Sequence, residues 1–186
     1  MTTPASPIKA VIFDLDGTIV RLPINWSQLK QELIQAKLLG KNQSLTDGIN
    51  DTKAAANLPN LKQLLTAIRH YESPAIDHFS INQAIYHWIH VHCHHYLLSV
   101  CSSNLHATIE AVLKQLNIYQ HFHQIIGNED VKKLKPDPEG INQIITRLRL
   151  TTAQTAFVGD QPTDLQTAAR TGVKYYSPNQ LTQLLP

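Results

Sequence analysis

A handful of residues have the types and spacing needed for chemistry. Asp14 and Asp16 stand two apart, and Asp16-Gly17 is a turn dipeptide. Asp160 and Asp164 stand four apart around Pro162, a residue suited to a helix start, so the spacing predicts that they share a helical face. Four carboxylates in one crevice would repel, each close pair by about 4 kcal/mol at 4 Å and an effective dielectric of 20. Such a cluster calls for a cation. All-oxygen ligation favours a hard ion, and a few carboxylates with water and a phosphate group suit Mg²⁺. Lys135 is placed to balance part of the remaining charge. With an ordinary pKa near ~3.9, Asp14 would already be ionised and would need no base to act as a nucleophile. It would need an activated electrophile, and a phosphoryl group held by a metal and a lysine is one. Asp16 can then protonate the leaving oxygen and later deprotonate the attacking water. That role needs a raised pKa, which anionic neighbours are expected to supply.

These side chains need elements to hold them. Residues 8–14 (IKAVIFD) form a short apolar run ending in an acid, the pattern of a strand buried on both faces. Residues 96–101, 124–126, 155–158 and 174–176 are further strand candidates. Between them fall predicted helices at 26–39 (ended by Gly40), 59–71 (broken by Glu72-Ser73-Pro74), 81–92, 105–116 and 138–149. Another starts at Pro162 and stops before Gly172. Residues 41–52 are polar and read as turns. Alternating strands and helices predict a doubly wound α/β sheet. In such sheets ligands bind beyond the carboxyl ends of the strands. Three of the predicted strands end at Asp14, Ser102 and Asp160.

The 186 residues suit one domain, or one domain with an insertion. At 42% hydrophobic and 16% charged, the chain has the composition of a soluble globular protein rather than a disordered one. A net charge of +2 without a run of basic residues marks no nucleic-acid surface, so any preference for anions must come from a local site. Cys93 and Cys101 lack metal or redox spacing and are too few for a disulfide scaffold; reduced thiols are expected. Residues 1–7 do not read as a leader, and no stretch approaches a membrane span. A cytoplasmic, soluble protein is the expectation.

The residues also carry a family pattern. Asp14-Leu15-Asp16-Gly17-Thr18 resembles the first motif of the haloacid dehalogenase-like hydrolases. Ser102 after its strand resembles the second, Lys135-Pro136 the third, and Gly159-Asp160 through Asp164 the fourth. All four occur in order, and the resemblance covers 8–176 apart from roughly 21–80. It implies a Rossmann-like three-layer αβα core (1–20 and 76–186) with a small helical cap (21–75) inserted after the first strand. It implies an Mg²⁺-dependent phosphatase acting on a small phosphorylated metabolite through an aspartyl-phosphate, with an overall look similar to phosphoglycolate-phosphatase-like members. Catalysis would fall to Asp14, Asp16 and Lys135. Substrate would be held by Ser102, Ser103, Asn104 and Lys135. The metal would be held by the Asp14 carboxylate, the Asp16 carbonyl and Asp160, with Asp164 acting from behind or through water. An acid at position 16 points to phosphoryl transfer, since the dehalogenase branch lacks it. A phosphomutase of the β-phosphoglucomutase type and a non-catalytic binding protein on the same fold are the competing readings.

Other residues attract attention and read more plainly. His87, His90 and His94 have the spacing of one helical face, and His92, His94 and His95 cluster. Solvated histidines are a commoner outcome than a transition-metal site. Trp26 and Trp88 are expected in the core, Arg21 on the surface, and Cys101 as a packed thiol.

Overall fold

The structure, a computed structural model, describes residues 7–184. Residues 1–6, read above as no leader, and 185–186 at the end of the expected core segment lie outside the described residues. Five parallel strands form the central sheet: β1 (Ala10–Phe13), β4 (Leu97–Cys101), β5 (Phe122–Ile126), β6 (Thr155–Val158) and β7 (Lys174–Tyr176), in the order β5-β4-β1-β6-β7. All four residues of β1 are buried, as its unbroken apolar run requires for a central strand. β1 pairs with β4 from Ala10↔Leu97 to Phe13↔Val100, and with β6 from Ala10↔Thr155 to Phe13↔Val158. The carboxyl ends of the three strands are therefore level. The expected doubly wound α/β sheet is present.

Helices cover both faces: α4 (Gln83–His92), α5 (His106–Gln115), α6 (Glu139–Leu148), α7 (Pro162–Thr171) and α8 (Pro178–Leu184). Alternation along β1 sorts the core into two layers. Val11 and Phe13 join Ile85, Trp88 and Ile89 of α4 with Ile109, Val112 and Leu113 of α5. Ile12 points the other way, joining Phe157, Ile141 and Ile144 of α6 and Ala168 of α7.

Between β1 and β4 the chain leaves the sheet through β2 (Val20–Arg21) and returns through β3 (Ser80–Ile81), which pair antiparallel. The excursion holds α1 (Trp26–Gln35), α2 (Leu45–Ala54) and α3 (Leu58–Ala75). Leu29, Leu33, Leu39, Ile49, Leu64 and Ile68 from this excursion share one buried cluster with Ile12 and Phe157 of the sheet. Among the described residues no helix is long and apolar enough to cross a membrane.

Three local expectations are corrected. Residues 41–52 are not turns throughout, because α2 starts at Leu45. Ser44 caps it by accepting from the Asp47 N–H and donating its hydroxyl to the Asp47 carboxylate. The Ser-x-x-Asp spacing is the signal for that start. The first long helix ends at Gln35 rather than 39, since Lys37 takes a positive φ of 60°. α3 runs through Glu72-Ser73-Pro74 to Ala75. Glu72 falls on the stripe already defined by Leu64 and Ile68, and is fully buried.

Candidate active site

β1 delivers Asp14 to the crevice, where the residue is 5% exposed. The turn that follows places Asp16 alongside. Gly17 there has φ +91°, and a Cβ on it would sit 2.4 Å from the Asp160 carboxylate. Glycine serves twice, for the left-handed turn and for the close approach of the β6 loop. Gly159 serves the close approach alone on the other side, where a Cβ would meet the Asp164 carboxylate at 2.4 Å.

Lys135 is 8% exposed, and its Nζ donates to Asp14 Oδ1 at 2.7 Å and to Asp164 Oδ1 at 2.5 Å. Burial works against its charge, but the Asp14 and Asp164 carboxylates outweigh it and hold the ammonium above its ordinary range. Asp164 is wholly buried, and its second oxygen accepts the Gln161 N–H at 3.0 Å. Asp160 lies ahead of α7, not on it. Its nearness to Asp164 therefore comes from the loop after β6 rather than from a shared helical face as expected.

Ser102 and Asn104 follow β4 and are buried. The Ser102 hydroxyl donates to Asn104 Oδ1 at 3.0 Å and lies within hydrogen-bonding reach of Asp14. The Ser103 carbonyl accepts from Asn128 Nδ2 at 3.3 Å. Asp14, Asp16, Ser102, Ser103, Asn104 and Lys135 all line one cavity of about 220 Å³. The opposite wall comes from the excursion: Trp26 of α1, Leu45, Thr46 and Ile49 of α2, and Ile68 of α3.

The carboxylates depart from the simplest expectations. Burial pushes Asp14 up to about 6, with Lys135 pulling it down and Asp164 pushing it further up. The ordinary value expected from the carboxyl alone does not hold. Asp16 is raised too, and the chief cause is burial; Asp160 is a minor contributor. Asp16 Oδ1 accepts the Leu22 N–H at 2.8 Å, and the Trp26 indole also reaches its carboxylate. Trp26 is thus a wall of the cavity, whereas Trp88 packs in the core, 5.8 Å from Phe13, as expected. Burial holds the Cys101 thiol up at about 12, which suits a packed side chain. Arg21 is exposed.

Asp14, Asp160 and Asp164 each bring a carboxylate oxygen within 4.8 Å of the others. Asp160 Oδ1 is buried without a hydrogen-bond partner, while Oδ2 accepts from Gln161 Nε2 at 2.6 Å. A bare carboxylate oxygen in an all-oxygen cluster fits a hard divalent cation. Both Asp164 oxygens are already engaged, which suits a role behind the site. The Asp16 carboxylate stands outside this cluster. The histidines form no comparable group among the described residues. α4 ends at His92, so His94 is off the helical face of His87 and His90.

Sequence reasoning missed Glu72. From α3 it reaches the segment after β4, accepting from Asn104 Nδ2 at 2.9 Å and from the Leu105 N–H at 3.1 Å. The Thr108 hydroxyl also bonds it, and burial holds it above the usual carboxylate range. α2 makes two similar ties. Asn50 Oδ1 accepts the Leu134 N–H at 2.8 Å, and Lys53 Nζ donates to the carbonyls of Asn128 and Val131. The signal for Glu72 was its place on the buried stripe of α3, an acid where an apolar residue belongs.

The haloacid dehalogenase-like hydrolase family model matches residues 11–177, and the chain belongs to that family. It is 26% identical to the pyrophosphatase PpaX of Listeria welshimeri over 168 residues, spanning 86% of this chain and 77% of that one. It is 25% identical to the phosphoglycolate phosphatase of Rhodospirillum rubrum over 185 residues, spanning 89% and 77%. Its fold is similar to a subfamily IA hydrolase of the same superfamily from Geobacter sulfurreducens. The TM-score is 0.65 at 18% identity, covering 90% of this chain and 88% of that one.

Proposed function

We propose that this haloacid dehalogenase-like hydrolase is an Mg²⁺-dependent phosphatase that cleaves a small phosphate monoester, with Asp14 as nucleophile. The observation that carries the reading is the Lys135 ammonium held between Asp14 and Asp164. It faces one cavity with Ser102 and Asp16. Both relatives are named for phosphatase activities, which supports the reaction class.

An Asp14 carboxylate oxygen attacks phosphorus, and the bond to the leaving oxygen breaks. Asp16 gives its proton to that oxygen. Burial raises its pKa, which suits a proton donor near neutral pH. Asp16 then takes a proton from water, the water oxygen attacks phosphorus, and the Asp14–phosphorus bond breaks to release phosphate. Lys135, Ser102 and the Ser103–Asn104 segment hold the phosphoryl oxygens. Asp14, the Asp16 carbonyl and Asp160 would hold Mg²⁺, with Asp164 positioning Lys135. When bound, the ion supplies positive charge to the phosphoryl group and to the carboxylates around it. Residues 21–75 act as the cap that shields this chemistry from water, and 1–20 with 76–186 as the core.

Phosphate release from an aryl phosphate, with Mg²⁺ or with EDTA, tests the reading alongside Asp14→Asn. Turnover should require the metal and disappear in the variant. Turnover that survives Asp14→Asn would remove the nucleophile assignment. Transfer of the phosphoryl group to a sugar without release of inorganic phosphate would select the mutase reading instead.

A further inference from the structure

The cavity is divided by chemistry. Its floor holds Asp14, Asp16, Ser102 and Lys135, the groups given above to phosphoryl transfer, with the uncharged polar side chains of Asn128, Gln161 and Thr163 at the sides. Its roof is Trp26, Leu45, Thr46, Ile49 and Ile68, which is apolar except for the indole N–H and one hydroxyl. The indole is directed at Asp16. Asp16 is the group that protonates the leaving oxygen, so the organic part of a substrate must lie against this roof.

Among the described residues, Lys135 is the one cationic side chain lining the cavity, and it is committed to Asp14 and Asp164. Lys53 of α2 turns away to the carbonyls of Asn128 and Val131. Arg21 is exposed and outside the lining, and its charge reaches Asp16 from the solvent side. A second anionic group on the substrate would lie against an apolar wall that itself carries no cationic side chain. The space is also small. About 220 Å³ is roughly seven water volumes, below the range of pockets that take drug-sized ligands.

Resting on the phosphatase reading, we propose that the chain selects phosphate monoesters whose organic part is small, uncharged and largely apolar, and discriminates against substrates carrying a carboxylate or a second phosphate. Thr46 is the single hydroxyl in the roof and offers one hydrogen bond to such a group. Apolar contact with Trp26, Ile49 and Ile68 supplies the rest.

The test is kcat/KM on pairs matched in size: 2-hydroxyethyl phosphate against 2-phosphoglycolate, and propyl phosphate against pyrophosphate. An aryl phosphate serves as the general reporter of phosphatase activity. The member of each pair whose organic part is uncharged should win by roughly tenfold or more. Thr46→Lys, which places a cation in the roof, should shift the first pair towards phosphoglycolate. The ranking by the unmodified protein decides the matter even if that variant folds poorly. Phosphoglycolate or pyrophosphate matching the simple alkyl phosphate it is paired with overturns this inference and leaves the phosphatase reading standing. No release from the aryl ester overturns the phosphatase reading, and this inference with it.

Discussion

Glu72→Ala removes a fully buried carboxylate that ties α3 to the segment carrying Ser102 and Asn104. Three donors lose their acceptor: the Thr108 hydroxyl, which can rotate, and the fixed pair Asn104 Nδ2 and the Leu105 N–H, all on buried residues. A buried donor left unsatisfied costs about 1–3 kcal/mol, so the pair costs about 2–6 kcal/mol. Removing a carboxylate that burial already disfavours returns part of this, and a net loss of about 2–4 kcal/mol is expected. Urea unfolding reads it as a lower midpoint at unchanged slope. Glu72→Gln is the comparator, because it keeps the shape and one acceptor but cannot titrate. Burial raises the native pKa of Glu72 above its ordinary 4.5. Between those two values the native state binds more protons than the unfolded chain, so stability falls as pH rises through that window. The slope should be present in the unmodified protein and reduced in Glu72→Gln. An alanine variant within about 0.5 kcal/mol of the parent would refute the reasoning, since that is the range of a surface change. So would an unchanged pH slope in the glutamine variant.

Three further outcomes are expected. Mg²⁺ at one hundred times its Kd should stabilise the parent by about 2.7 kcal/mol and Asp160→Asn should abolish that thermal shift; a shift that persists would place the ion elsewhere. Gly17→Ala should lower kcat by tenfold or more, as an order-of-magnitude expectation for a misplaced site, because the new Cβ collides with the Asp160 carboxylate at a φ of +91°. Its activity assay is the aryl phosphate, and parental turnover would show that the loop yields without consequence. His106 sits 2.6 Å from Asp130; burial opposes its charge, but Asp130 prevails and holds its pKa above the ordinary 6.5. Its contribution to stability is full below that ordinary value and is lost as pH rises through the raised one, so unfolding followed across neutral pH should show a fall that His106→Gln flattens.

The elements that carry the chemistry were legible in the chain because their signals are local. A strand buried on both faces reads as an unbroken apolar run, which is why AVIF at 10–13 and TAFV at 155–158 could be placed. Pro162 and Gly172 bracket α7 for equally local reasons, and Gly172 takes the left-handed conformation at its end. The reactive types were visible too: the acids at 14, 16, 160 and 164, the lysine at 135 and the serine at 102. Their convergence was decided by pairing across long separations. β1 lies between β4 and β6 through contacts such as Ala10 with Leu97 and with Thr155, and only then do Asp14, Ser102 and Asp160 reach one crevice. Lys135 meets Asp14 across 121 positions of sequence. The environment of each group was likewise settled in three dimensions. Burial, a property of the packed whole, lifts Asp14 and Asp16 above the values that their side chains alone would have. Trp26 became a cavity wall and Glu72 a buried tether because α1 and α3 pack over the strand ends, and a sequence pattern marks which face of a helix is buried without saying what it is buried against.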